Sequence, residues 1–128
     1  MDKQELAAVF DLSCEDRFEY FLDVVGEERE IWILIDDHDC FLKLHSEDDG
    51  GFEYLPVWPS TDFAAEYAGG ETGLAPKSIA LPQFLKKWLS GLERDGIEIG
   101  VFPGPDNSVW VTEPAELGRD LRDVLSSF

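Results

Sequence analysis

The stretch Phe52-Glu53-Tyr54-Leu55-Pro56-Val57-Trp58-Pro59-Ser60 limits the folds open to this chain more than any other. Tyr54, Leu55, Val57 and Trp58 suit a pleated, half-buried surface. Pro56 and Pro59 have no N–H to give a neighbour, which restricts how the segment can pair. Pro59 also biases Trp58 toward an extended conformation, so the strand is predicted to end there. Ser60 then stands at a cap position ahead of the helical segment Thr61-Asp62-Phe63-Ala64-Ala65-Glu66-Tyr67-Ala68, with Asp62 at its positive end. Strands read on both sides, so this corner is where the chain leaves a hairpin layer and crosses the sheet.

Before the corner, Leu6, Val9 and Phe10 are at helical spacing and predict a short helix in an N-terminal extension, residues 1–12. Ser13 reads as an N-cap with Asp16 three residues on. Phe18, Phe21, Leu22 and Val25 make one apolar helix face, and Gly26 is the expected C-cap. Glu30 to Ile35 reads as a central strand covered on both faces. Asp36-Asp37-His38-Asp39 is a turn and Cys40 to His45 the returning strand. Glu47-Asp48-Asp49-Gly50-Gly51 turns the chain again, and the strand at Phe52 completes a predicted three-stranded meander.

After the helix at 61–68, Gly69 to Gly73 is a loop and Lys77 to Leu81 a short strand. Pro82 fits the first turn of a helix whose stripe is Phe84, Leu85, Trp88, Leu89 and Leu92, closed by Asp95-Gly96. Ile97, Ile99 and Val101 alternate with Glu98 and Gly100, a strand with one wet face. Pro103 to Asn107 is a hairpin loop and Ser108 to Val111 pairs back. Thr112 or Glu113 caps a last helix with Leu117, Leu121, Val124, Leu125 and Phe128 inside. The order α-β-β-β-α-β-α-β-β-α predicts an α+β fold, a mostly antiparallel sheet of about five to six strands with helices packed on it. Residues 1–128 are expected to form a single domain.

The chain carries a net charge of −18, which argues against a broad basic face for nucleic acid or an anionic membrane. Its longest apolar runs, such as Ile31 to Ile35, are far too short to span a bilayer, and Met1-Asp2-Lys3-Gln4-Glu5 does not open a signal peptide. Cys14 and Cys40 make no disulfide framework, so a reducing cytoplasm is the expected compartment. From Glu30 to Pro76 the only cation is Lys43, set among Asp36, Asp37, Asp39, Glu47, Asp48, Asp49, Glu53, Asp62, Glu66 and Glu71. Such a surface solubilises a small protein, and it also suits a basic partner.

Catalytic and metal motifs fail on inspection. A calcium loop started at Asp36 meets His38, Cys40 and Phe41 where oxygen ligands or glycine belong. Zinc would have His38 and Cys40 and would lack a closed set of ligands. The loop from Gly69 to Ser78 ends like a phosphate loop, but Pro76 precedes Lys77 where glycine is required. No Gly-x-Ser-x-Gly elbow appears. No metal, cofactor or catalytic residue is therefore expected. Of the four tryptophans, Trp32 and Trp88 read as core residues. Trp58 and Trp110 are open to a surface role, since aromatic residues are frequent at binding hot spots.

Several segments resemble a known family: Trp32, Leu55-Pro56-Val57-Trp58-Pro59, Pro76-Lys77-Ser78-Ile79, Phe84-Leu85-Lys86-Lys87-Trp88-Leu89 and Gly100-Val101-Phe102-Pro103. Over about Glu15 to Leu125 the chain resembles the bacterial domain-of-unknown-function family 2750. The layout is more distantly similar to the N-terminal domain of the enhanced serine-sensitivity protein. The resemblance implies a small intracellular α+β domain that binds proteins, and it brings no catalytic residue. The expected function is a protein-interaction module, adaptor-like or antitoxin-like, with a protein partner of basic character. Its candidate surface is Asp36, Asp37, Asp39, Glu47, Asp48 and Asp49, together with Trp58, Lys77 and Trp110. The alternatives are a small-ligand or enzyme site near Lys77, and a mimic of nucleic acid.

Overall fold

Backbone hydrogen bonds at Trp58 join the two sheets of this protein. A computed structural model describes residues 2–47, 51–69, 73–104 and 109–126. The elements in order are α1 (Lys3–Phe10), α2 (Cys14–Glu28), β1 (Glu30–Ile35), β2 (Leu44–Ser46), β3 (Phe52–Val57) and α3 (Thr61–Ala68). They are followed by β4 (Ala75–Ala80), α4 (residues 81–95), β5 (Glu98–Val101), β6 (Trp110–Thr112) and α5 (Pro114–Ser126). The fold is α+β, and the element order is the predicted one.

The strands divide into an antiparallel pair, β1–β4, and a four-stranded sheet of order β2-β3-β5-β6. Trp32 and Trp58 exchange both backbone hydrogen bonds at 2.9 Å, which ties β1 to the end of β3. The structure corrects the predicted meander. Cys40 to Lys43 lie outside β2, and only Phe41 bridges to Ile35, with Leu42 N–H donating to the Leu34 carbonyl at 2.8 Å. The β2–β3 hairpin thus opens toward β1, and both of its arms hand their last backbone groups to that strand. Within the larger sheet β3 and β5 run parallel, an arrangement that needs the long crossover supplied by residues 58–97. Asp48 and Asp49 of the predicted turn, Glu71, Ser108 and Phe128 lie outside the described residues.

Local signals explain most helix ends. Asp2 caps α1 by accepting from Glu5 N–H at 2.8 Å, and Ser13 caps α2 by accepting from Asp16 N–H at 3.1 Å. Gly26 does not end α2. It is buried inside the helix, which runs to Glu28 and closes at Arg29 with φ 63. Ser60 occupies the N-cap position of α3 in extended conformation but makes no side-chain cap bond. Helix α4 begins as an α-helix, Leu81–Gln83, and passes through a π turn, Phe84–Trp88, where Leu89 N–H donates to the Phe84 carbonyl. It continues as an α-helix, Leu89–Asp95.

One apolar cluster holds these layers. Trp58, Phe21, Phe63, Phe84, Phe102 and Leu117 are among its fully buried side chains. Leu6 and Phe10 bring α1 into the same cluster, with the Phe10 ring edge-on to Phe63 and Phe102 at 5.4 Å.

Candidate binding cleft

The alternation of β2, β3, β5 and β6 puts Leu55, Val57, Ile99 and Val101 into the core. The register sets Leu44 beside Tyr54, Ser46 beside Phe52 and Gly100 beside Val111 on the opposite face. There the sheet forms a cleft of about 510 Å³ lined by Leu44, Phe52, Tyr54, Tyr67, Val109 and Val111. His45, Ser46 and Glu47 supply its polar rim.

Gly100 makes room for the cleft floor. A Cβ there would lie 2.3 Å from Tyr54 Cδ2 and 3.1 Å from Val109 Cγ2, so only glycine lets the phenol ring cross β5. Tyr67 comes from α3, and its ring packs on Trp58 with centroids 5.1 Å apart. Burial pushes the Tyr54 phenol above its ordinary pKa, and the nearby Tyr67 phenol adds to the shift. Burial alone raises Tyr67. Both phenols are therefore neutral hydrogen-bonding groups at physiological pH, set in an aromatic wall with Phe52, whose centroid is 6.0 Å from that of Tyr54.

The residues singled out from the sequence fall in different places. Asp36, Asp37 and Asp39 are exposed at the β1–β2 turn and do not line the cleft. Asp36 Oδ1 accepts from Cys40 N–H at 3.0 Å and His38 N–H at 2.8 Å, and these bonds hold its carboxyl below the ordinary value. Asp39 has φ 61, which the short polar side chain tolerates. Glu47 does line the cleft.

Trp58 leaves the candidate surface. It is 0% exposed, and its Nε1 donates to the Pro103 carbonyl at 3.4 Å. Trp110 is 36% exposed and stacks on Phe18 at 5.1 Å, against α2 on the other side of the sheet. Lys77 is exposed on β4, and the cavities at Tyr54, Leu81, Trp88 and Glu98 are lined by other residues. Sequence reasoning reads Tyr54 only as a strand former and passes over Tyr67. Gly100 is the available signal, a missing side chain at a strand position that should carry one.

No group of three or more His, Cys, Asp or Glu side chains among the described residues is arranged to hold a metal ion. No helix among them is long and apolar enough to cross a membrane.

A family model described as "Protein of unknown function (DUF2750)" matches residues 18–121. The chain belongs to that family. The matched span runs from within α2 into α5 and takes in both sheets and the whole cleft. No curated protein matches the chain. Three of the segments that carry the family resemblance, at Trp32, Leu55–Pro59 and Gly100–Pro103, meet at the corner. Besides the Trp32–Trp58 exchange, Phe102 N–H donates to the Val57 carbonyl at 2.8 Å, and Pro103 receives the Trp58 indole. Those segments specify the join between the sheets.

Proposed function

We propose that this member of DUF2750 is a non-catalytic, adaptor-like binding module that takes a basic segment of a partner protein. Lysine or arginine side chains of that segment lie against the Phe52, Tyr54 and Tyr67 rings and pair with Glu47 and its acidic surroundings. One observation carries the reading. The aromatic cleft opens on the stretch of chain whose single cation, Lys43, is already engaged by Glu53 at 3.3 Å. A cation over a tyrosine or phenylalanine face is worth about 0.5–2 kcal/mol, more as water is excluded. The acidic surroundings speed encounter and reject acidic competitors.

The test is fluorescence anisotropy with a labelled lysine-rich peptide. Binding is expected at ~50 mM salt and should weaken as salt rises. A highly acidic protein attracts any basic peptide to some degree, so the discriminating variants leave its charge unchanged. Phe52→Ala should weaken binding several-fold, whereas Trp110→Ala, on the other side of the sheet, should not. Equal affinity for both variants and the parent would remove the cleft from this reading.

A further inference from the structure

A second groove lies away from the tyrosine cleft, where α2 ends and α4 begins. Leu81 N–H donates there to the Arg29 carbonyl at 2.9 Å. The groove has a volume of about 370 Å³ and an apolar floor of Leu81, Pro82, Leu85 and Leu125. Its rim carries Arg29, Lys86 and Arg122, three of the ten lysine and arginine residues in a chain of net charge −18. Among the described residues no carboxylate lines it, and none of the three cations makes an ion pair. In so acidic a protein, three cations at the edge of bare hydrocarbon with no described carboxylate partner point to an anion from outside.

Arg29 supplies an independent sign. It ends α2 with φ 63, a conformation that glycine adopts freely and a long side chain does not. Its Nε donates to the Gly26 carbonyl at 2.8 Å, which fixes the root of the guanidinium. Both Nη groups are left without a described partner. A strained backbone position kept by an arginine with no ion pair among the described residues points to a role for its charge.

We propose that this groove binds an anionic amphiphile, a medium-chain carboxylate. Arg29 and Arg122 take the head group through paired N–H donors, with Lys86 adding a point charge. The hydrocarbon tail lies on Leu81, Pro82, Leu85 and Leu125. A volume of this size suits a small ligand, for which pockets run to roughly 300–1,000 Å³. The groove's lining of seven residues is small for a protein partner, which engages roughly 20–30 residues on each side.

Isothermal titration of the full chain with octanoate tests the assignment, with acetate and 1-octanol as probes of head and tail alone. Octanoate should bind saturably at one site, with both other probes at least about tenfold weaker. Arg29→Gly removes the guanidinium and leaves a residue that adopts the left-handed conformation freely. It should therefore keep the parent's urea midpoint and lose about tenfold or more in octanoate affinity. Arg122→Gln should weaken octanoate similarly. The proposal is overturned if octanoate does not saturate below ~10 mM, if 1-octanol binds equally well, or if both variants bind like the parent. Capture of an acidic amphipathic peptide without octanoate binding would also overturn it. The tyrosine cleft is untouched by either variant, so its basic-peptide binding should persist throughout.

Discussion

Arg17 is 2% exposed and ties α2 both to the end of α1 and to the chain that follows β5. Its Nη1 donates to the Phe10 and Leu12 carbonyls at 2.9 and 2.8 Å, and its Nε donates to the Phe102 carbonyl at 3.2 Å. Arg17→Leu would leave the Phe10 and Phe102 carbonyls buried without their donor, and the Leu12 carbonyl partly so. The expected cost is about 3 kcal/mol or more in urea melts, and a loss below about 1 kcal/mol would show that water replaces the guanidinium. The corner gives a paired prediction. Trp58→Ala should cost ~3–5 kcal/mol as a cavity in a closed core. Ser60→Ala should cost nothing and gain up to about 1 kcal/mol, because Ser60 Oγ is buried without a described partner and caps nothing. From sequence alone a serine ahead of Thr61-Asp62 reads as a cap whose loss costs ~0.5–2 kcal/mol. The melts of the two alanine variants decide between a hydroxyl that caps and one that is merely enclosed.

At the scale of elements, a double-mutant cycle tests the cleft floor. Gly100→Ala places a methyl 2.3 Å from the Tyr54 ring and should cost about 1–3 kcal/mol. In a Tyr54→Ala background the same change should cost clearly less, since the obstructing ring is gone and only Val109 Cγ2 at 3.1 Å has to give way. Equal costs in both backgrounds would mean that Tyr54 does not rest on Gly100. The same pair of residues marks the limit of what is legible in the sequence. Periodicity finds the helices and strands because amphipathic spacing is local: Phe21 and Val25 on α2, Leu117 and Leu121 on α5, Ile99 and Val101 on β5. Partner choice is not local. Nothing between Cys40 and His45 says that Leu42 pairs with Leu34 while Leu44 pairs with Tyr54. Arg17 is illegible for a related reason, since it sits beside Glu15, Asp16 and Glu19 and reads as one more charge on a wet helix face. The broad stripe of Phe84, Leu85, Trp88, Leu89 and Leu92 is visible in the sequence, but the π turn that it accompanies is not.

For the whole molecule the net charge of −18 outweighs every other electrostatic feature, and Glu98 shows how the fold answers it. Burial is the main cause that lifts its carboxyl above the ordinary value, and the neighbouring charges of Glu113 and Glu116 add to it. The folded state therefore holds this proton more tightly than the unfolded chain does. The stability that follows is fully present below the unfolded glutamate pKa, ~4.3, and is lost as pH rises through the higher folded value. At neutral pH an ionised Glu98 instead opposes folding, beside two like charges. Glu98→Gln removes the charge and keeps the shape, so it should raise the melting midpoint at pH 7. The gain should fade as pH falls through the folded pKa, and below ~4 the parent carboxyl is itself protonated and the two proteins should melt together. Salt separates this local effect from the global one. Screening shortens from ~30 Å at 0.01 M to ~8 Å at 0.15 M, so salt should raise the midpoint of both proteins and leave most of the difference that burial causes. A difference that is the same at pH 4 and pH 7, or that vanishes with salt, would place the origin of the shift outside the desolvation of Glu98.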